Sequence, residues 1–374
     1  MDESHSMTLV KQTIEDVQRY LEAQARGELP TVPTLPDGRG IGLAHRLNQV
    51  LRQMNLHVSR ATVHDEAMRE ARRGYNAIVK SVALGTVLQL EADPSEFDVV
   101  YDALSDEDSR RTFDWFVAYR VALAFLGQDA DEVLPGRMGT AEWQTALDQT
   151  GRAFVGGAYR IDGLTVDSGL PEVAATFVLE QYRLKGIVEP GAGDVVLDCG
   201  AYRGETVLWF ARRVGKDGRV VAFEPAARNA EGLRRNLAAN RSVEMAPVTV
   251  LECAVSSSTG VLHFNAQAEG SSRVDADSIE SVPAVTIDDV MEEQHLGRVD
   301  FIKMDIEGGE VDALRGAEET LKKFTPRLAI SVYHRPHDLP DIVKLILRAC
   351  PDYRLYLSHK SPGLAETILF ARRP

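Results

Sequence analysis

A carboxylate, two glycines and a threonine stand at fixed spacing in the stretch D-V-V-L-D-C-G-A-Y-R-G-E-T: Asp198, Gly200, Gly204 and Thr206. An apolar run stops at Asp198, the glycines make a tight turn, and helical spacing follows over 206–213. A strand, a turn of small residues and a helix N-terminus together leave unpartnered backbone amides where a ligand can approach closely. Glu224 closes a second apolar run, 219–223, and is followed by Pro225. Asp305 closes another, 299–304, and His334 and His359 follow the runs 328–332 and 353–357. A histidine near its ordinary pKa can take a proton, and a carboxylate can orient it. Asp305, His334 and His359 are therefore the candidate catalytic groups.

The ligand follows from what the turn lacks. A dinucleotide site wants G-x-G-x-x-G, whose second glycine makes room for a pyrophosphate. Here Tyr202 occupies that place and Asp198 would repel phosphate, which disfavours a nicotinamide-dependent oxidoreductase. A carboxylate suits a cationic ligand, and S-adenosylmethionine carries an ammonium and a sulfonium, with a carboxylate for the helix N-terminus. Glu224 can accept both ribose hydroxyls. The expected cofactor contacts here are Asp198, Gly200, Ala201, Tyr202, Gly204, Glu205, Thr206, Glu224 and Pro225.

Strands alternating with helices imply a parallel sheet whose ligands sit beyond the carboxyl ends of the strands. That rule gathers Asp198, Glu224, Asp305, His334 and His359 along one edge. The pattern gives a helix over 229–240, a third strand over 249–255 and a closing strand over 367–371. Short β patterns at 261–264 and 284–286 flank a polar loop, 266–280, a candidate lid. Lys303 shares the face of Asp305 and, if buried, needs a partner, so it reads as half of a structural ion pair.

The first half of the chain shows helical periodicity and no chemistry of its own. Patterns run over 8–25, 43–54 and 62–90, with a proline- and glycine-rich connection over 30–42. Ser105, three residues before Asp108, reads as an N-cap, and Phe113, Phe116, Val117, Val121 and Ala124 form one stripe up to Gly127. A glycine-rich seam over 150–167 and a helix over 172–185 follow. The expected division is a helical domain, 1–155, and an α/β domain, 156–374.

A formal net charge of -14 over 374 residues disfavours nucleic acid or an anionic membrane as partner. No window reaches 18 apolar residues, and Cys199, Cys253 and Cys350 are too few and scattered for a disulfide framework. A cytoplasmic enzyme acting on a small molecule is the expectation.

Three blocks, V-V-L-D-C-G-A-Y-R-G-E-T, A-F-E-P and V-D-F-I-K-M-D-I-E-G-G-E-V-D-A-L-R-G-A, resemble in order and spacing the signatures of the FkbM-type S-adenosylmethionine-dependent methyltransferases. The resemblance runs from about Gly186 to the C-terminus. It implies a class I, Rossmann-like α/β sheet of seven strands, the last pair antiparallel, behind the mainly helical N-terminal region. It also implies Cys253 and Ala254 against the adenine, Asp305 with His334 at the acceptor, and methyl transfer, most often to a hydroxyl of a sugar or other secondary metabolite. In some related O-methyltransferases an Asp at this strand end binds magnesium with acidic residues from the next. Tyr333-His334 stand there instead, so a divalent metal is possible but not favoured. The helical region would serve acceptor specificity or homo-oligomer assembly. The alternative is a non-catalytic cofactor-binding module whose helices bind a partner protein.

Overall fold

The computed structural model describes residues 4–26, 79–265, 273–274 and 281–374. The helical pattern 43–54, the proline-rich connection, most of the 62–90 pattern and, apart from two residues, the candidate lid fall outside them.

At the centre lies a seven-stranded sheet built from β4 (Val195–Cys199), β5 (Arg219–Phe223), β6 (Val248–Leu251), β11 (Phe301–Met304), β12 (Arg327–Ser331), β13 (Arg354–His359) and β14 (Thr367–Arg372), in the order β13-β14-β12-β11-β4-β5-β6. β4, β5, β6, β11 and β12 are parallel, and β14 runs antiparallel to both β12 and β13. The last strand therefore inserts between its predecessors instead of closing the sheet. Its amino end, and the turn before it, consequently lie with the carboxyl ends of the parallel strands.

The central strands are apolar on both faces because both faces are covered. Leu197, Val221 and Ile302 point into one core, while Val196, Val220 and Phe301 point into the other. The first core also holds the N-terminal helices: α1 (His5–Ala25), α2 (79–92), α3 (Ser95–Ala103) and α4 (Glu107–Leu126). α4 is fastened to β13, since Ser105 donates its amide to the Leu355 carbonyl and the Leu357 amide donates to Ser109 Oγ. Helical region and sheet thus share one hydrophobic core. The N-cap of α4 is Asp106, not Ser105; its carboxylate accepts the Ser109 amide, and the helix stops at Gly127 with φ +61°.

α5 (Thr140–Arg152) leads into a small antiparallel meander, β1 (Phe154–Val155), β2 (Ala158–Ile161) and β3 (Leu164–Val166), in the glycine-rich seam. The meander docks on α8 (Ala227–Ala239), whose Asn236 and its neighbour Asn240 accept the amides of Asp167 and Thr165. The expected helix over 172–185 is shorter. One α turn, α6 (Leu170–Val173), passes into a π turn over 174–178, and Glu180 takes φ +48°, which ends it. The expected third strand also breaks. β6 stops at Leu251, the chain bends, and β7 (Ala254–Val255) pairs in parallel with β10 (Ser281–Val285) in a separate sheet with β8 (Gly260–Asn265) and β9 (Arg273–Val274).

Candidate active site

One cavity of about 480 Å³ opens over the carboxyl ends of β4, β5 and β11. Gly200, Tyr202, Glu205 and Thr206 line it from the turn and from α7 (Glu205–Val214), and Glu224 and Pro225 from the end of β5. Cys253, Ala254 and Asp305 complete the expected set on its wall. The turn is glycine-dependent at two points. Gly200 has φ +83°, and a Cβ there would lie 1.8 Å from the Asp305 carbonyl oxygen; Gly204 has φ +91° and would meet Leu233 at 2.3 Å.

Three of the expected contacts do not line the cavity. Ala201 is fully buried and Gly204 serves packing against α8. Asp198 is also fully buried: it lies 3.1 Å from Lys303 Nζ and accepts the Thr206 hydroxyl at 2.7 Å. Lys303 donates further to the carbonyls of Cys199 and Gly200 at 3.1 and 2.6 Å. The negative charge expected at the pocket mouth is therefore neutralised beneath it. Lys303 is a structural ion-pair partner, and what it holds in place is the glycine turn.

Glu224 keeps its place by three hydrogen bonds: Oε2 accepts the Tyr202 amide at 2.8 Å, and Oε1 accepts the Ala226 amide at 2.9 Å and the Asn229 side chain at 3.3 Å. Burial nevertheless pushes its pKa up to about 7. Glu205 is 5% exposed, accepts from Ser168 at 3.1 Å, and is pushed up to about 8, by burial first. Cys253 is a buried thiol raised by that burial to about 11.

Asp305 sits at the other side. Its carboxylate accepts the Tyr182 hydroxyl at 2.5 Å and the Tyr333 hydroxyl at 3.3 Å, and lies 3.3 Å from His334 Nε2. Burial works against its charge, but His334, Lys303 and Tyr182 hold its pKa well below the carboxylate range. Burial likewise disfavours the charged His334 ring, yet Glu310, 3.0 Å from Nδ1, with Asp305 and Glu307, raises its pKa well above 6.5. A ring so placed is disposed to stay charged, which weighs against His334 as base. The ring stands behind Asp305, outside the cavity lining.

His359 is corrected as well. It lies outside the lining, its Nδ1 2.8 Å from Thr367 Oγ1 and its ring 4.2 Å from that of Trp115, and burial drives its pKa down to about 3. It is a packed, neutral ring under the helical region.

Asp305, Glu310 and His334 bring three ligating atoms within 4.8 Å of one another, so Glu310 adds the oxygen donor that the sequence did not point to. Each ring nitrogen already faces a carboxylate, Nε2 toward Asp305 and Nδ1 toward Glu310. The same three side chains form an ion-pair cluster.

Sequence reasoning missed Tyr182, Tyr333, Gln181 and Glu366. Tyr333 had a signal, its place beside His334 at a strand end. Tyr182 and Gln181 lay in what reads as helix, and Glu366 in a turn.

A parallel sheet with β14 inserted antiparallel, and a glycine turn beneath a cavity at its carboxyl edge, is the fold of class I S-adenosylmethionine-dependent methyltransferases. Methyltransferase FkbM of Methylobacillus flagellatus KT shares it, at a TM-score of 0.51 and 23% identity over 76% of this chain and 60% of that one. Residues 198–355 match the family described as the Methyltransferase FkbM domain. It is also 25% identical over 186 residues to methyltransferase sdnD of Sordaria araneosa, covering 40% of this chain and 71% of that protein. Against the AMB antimetabolite synthetase AmbE of Pseudomonas aeruginosa it is 25% identical over 260 residues, 57% of this chain and 12% of AmbE. The chain thus spans about an eighth of AmbE and three fifths of the FkbM structure.

Proposed function

We propose that the protein transfers a methyl group from S-adenosylmethionine to a hydroxyl of a sugar or other secondary metabolite. The observation that carries this reading is the division of one cavity between Glu224 with the glycine turn on one side and Asp305 with its two phenols on the other. Gly200 to Thr206 would hold the methionine end, Glu224 the ribose, and Cys253 and Ala254 the adenine. Asp305 would then receive the acceptor hydroxyl, exchanging a tyrosine hydrogen bond for it. The relatives' printed names, an antimetabolite synthetase and a methyltransferase, agree with small-molecule chemistry.

Attack on a sulfonium methyl is an in-line displacement that demands alignment first. As the new C–O bond forms and the C–S bond breaks, the acceptor oxygen becomes a protonated ether, a far stronger acid than the alcohol. A carboxylate of low pKa can take that late proton, so Asp305 suffices as base while His334 keeps it ionised and oriented. The helical region, sharing a core with β13, would fix the hairpin that bears Glu366 and so shape the acceptor side.

The test is incubation with methyl-deuterated cofactor and a bacterial or fungal metabolite extract, followed by mass spectrometry. A product gaining one labelled methyl, absent with Asp305→Asn, supports the reading. Tight binding of S-adenosylhomocysteine with no labelled product from any pool would instead support the non-catalytic module.

A further inference from the structure

In the half of the cavity remote from Glu224, several hydrogen-bond donors are already engaged. Tyr182 and Tyr333 spend their hydroxyls on Asp305, Lys303 is spent on Asp198 and two carbonyls, and Ser361 Oγ donates to the Ala365 carbonyl at 2.5 Å. Acceptors there are in surplus. Gln181 is 6% exposed, lines the cavity and has no partner for Oε1; Glu366, also on the wall, has none for Oε2. A buried acceptor without a donor is costly, so the missing donor is to be sought in the ligand.

Glu366 also sits in a strained turn. It takes φ +69°, a left-handed conformation that non-glycine residues rarely adopt, in the turn before β14, with its carbonyl accepting the Lys360 amide at 3.1 Å. The inserted antiparallel strand delivers this turn to the carboxyl edge of the sheet, beyond β12 and β11 and away from β5, where Glu224 stands. The cofactor and Glu366 therefore occupy opposite sides of the cavity.

We propose that this side is a cation subsite: Glu366 and Gln181 receive an ammonium group of the acceptor, walled by the rings of Tyr182 and Tyr333, so the substrate is a hydroxyl-bearing amine and not a carboxylated or phosphorylated alcohol. An ammonium brings three donors and no acceptor, which matches the surplus once Glu366 is ionised. Aromatic rings beside it add attraction to the same charge. The charged groups acting most strongly on Glu366 are three carboxylates, Asp305, Glu307 and Glu172, against His334, which is itself engaged by three carboxylates; the phenols of Tyr182 and Tyr333 also face it. An anionic acceptor would enter against that field. Burial and Asp305 push the Glu366 pKa up to about 8, so binding of a cation at pH 7 expels its proton.

This rests on the methyl-transfer reading of the same cavity, and the two can fail separately. The protein is first saturated with S-adenosylhomocysteine by isothermal titration; no binding at that step sinks the methyl-transfer reading. The loaded protein is then titrated at pH 7 with trans-2-aminocyclohexanol, trans-cyclohexane-1,2-diol and trans-2-hydroxycyclohexanecarboxylate, in two buffers of different ionisation enthalpy. The amine is expected to bind about tenfold tighter than the diol, as one charge-assisted hydrogen bond supplies, with proton release and no heat from the carboxylate. Glu366→Gln should abolish both the preference and the proton release while S-adenosylhomocysteine affinity stays as in the wild type; Gln181→Leu should weaken the amine severalfold with proton release intact. Equal binding of amine and diol, or a preference that survives Glu366→Gln, overturns the cation subsite and leaves methyl transfer standing.

Discussion

Asp198 and Asp305 end two neighbouring strands, β4 and β11, and each is paired with a cation, yet they do opposite things. Asp198 is sealed, held by Lys303 and Thr206, and its charge is consumed in fixing the glycine turn. Asp305 opens onto the cavity, and its partners are two phenols and an imidazolium, of which the phenols can yield to a ligand. Residue type and position at a strand end do not decide between the two roles. Access does, and access depends on what the adjacent strand and turn place on top.

Substitution at the two aspartates should separate them most sharply. Asp305→Asn should lower methyl transfer by about 10²–10⁴-fold, the usual worth of a positioned base, with the thermal midpoint and S-adenosylhomocysteine affinity little changed. Asp198→Asn leaves Lys303 charged and buried without a counter-ion, a change that costs about 3–5 kcal/mol. Its signature is a lowered denaturation midpoint, read by chemical unfolding, with loss of cofactor binding following the loss of the turn. If both variants lost activity with an intact fold, the distinction drawn between a sealed and an open aspartate would be wrong.

A subtler break concerns His334. As the base, its removal would cost as much as that of Asp305. Held as an imidazolium behind Asp305, it should cost only about tenfold in kcat when changed to Gln, since the carboxylate itself remains. Without the cation the buried Asp305 pKa rises, so the variant should lose further activity as pH falls from 8 to 6 at saturating cofactor. The wild type should not share that loss. Equal defects in His334→Gln and Asp305→Asn across the whole pH range would restore His334 as the proton acceptor.

The sequence made the cofactor side legible because it is local: a strand, a turn and a helix N-terminus carry Gly200, Tyr202, Glu205 and Thr206 within seven residues, and β5 brings Glu224 in register beside them. That β4, β5 and β11 are parallel was equally readable from strands alternating with helices. What stayed hidden is non-local. The Asp198–Lys303 pair joins residues 105 positions apart, and nothing in the text tells a buried carboxylate from one facing a pocket. Glu366 reaches the cavity only because β14 inserts antiparallel, and the end of β6 is bent by pairing with β10, a partner further along the chain. His359 read as a strand-end histidine at the site edge; the helical region that buries it lies more than 200 residues earlier.

The mildest test addresses the cofactor side of the comparison. Glu224 has a pKa raised from the usual 4.5 to about 7 by burial, despite its three hydrogen bonds. Ribose hydroxyls donate to the ionised carboxylate, so the form that binds best is the one the empty pocket disfavours below pH 7. Binding then releases a proton, and affinity rises with pH until the free group is ionised. Between pH 6 and 8 the dissociation constant of S-adenosylhomocysteine should fall by about tenfold, the rise in ionised fraction of a group with a pKa of about 7 over that interval. Glu224→Gln should bind more weakly and lose the slope together with the affinity. An affinity that stays flat with pH in the wild type would mean that Glu224 is ionised before the ligand arrives, and that its hydrogen bonds, not its burial, decide its charge.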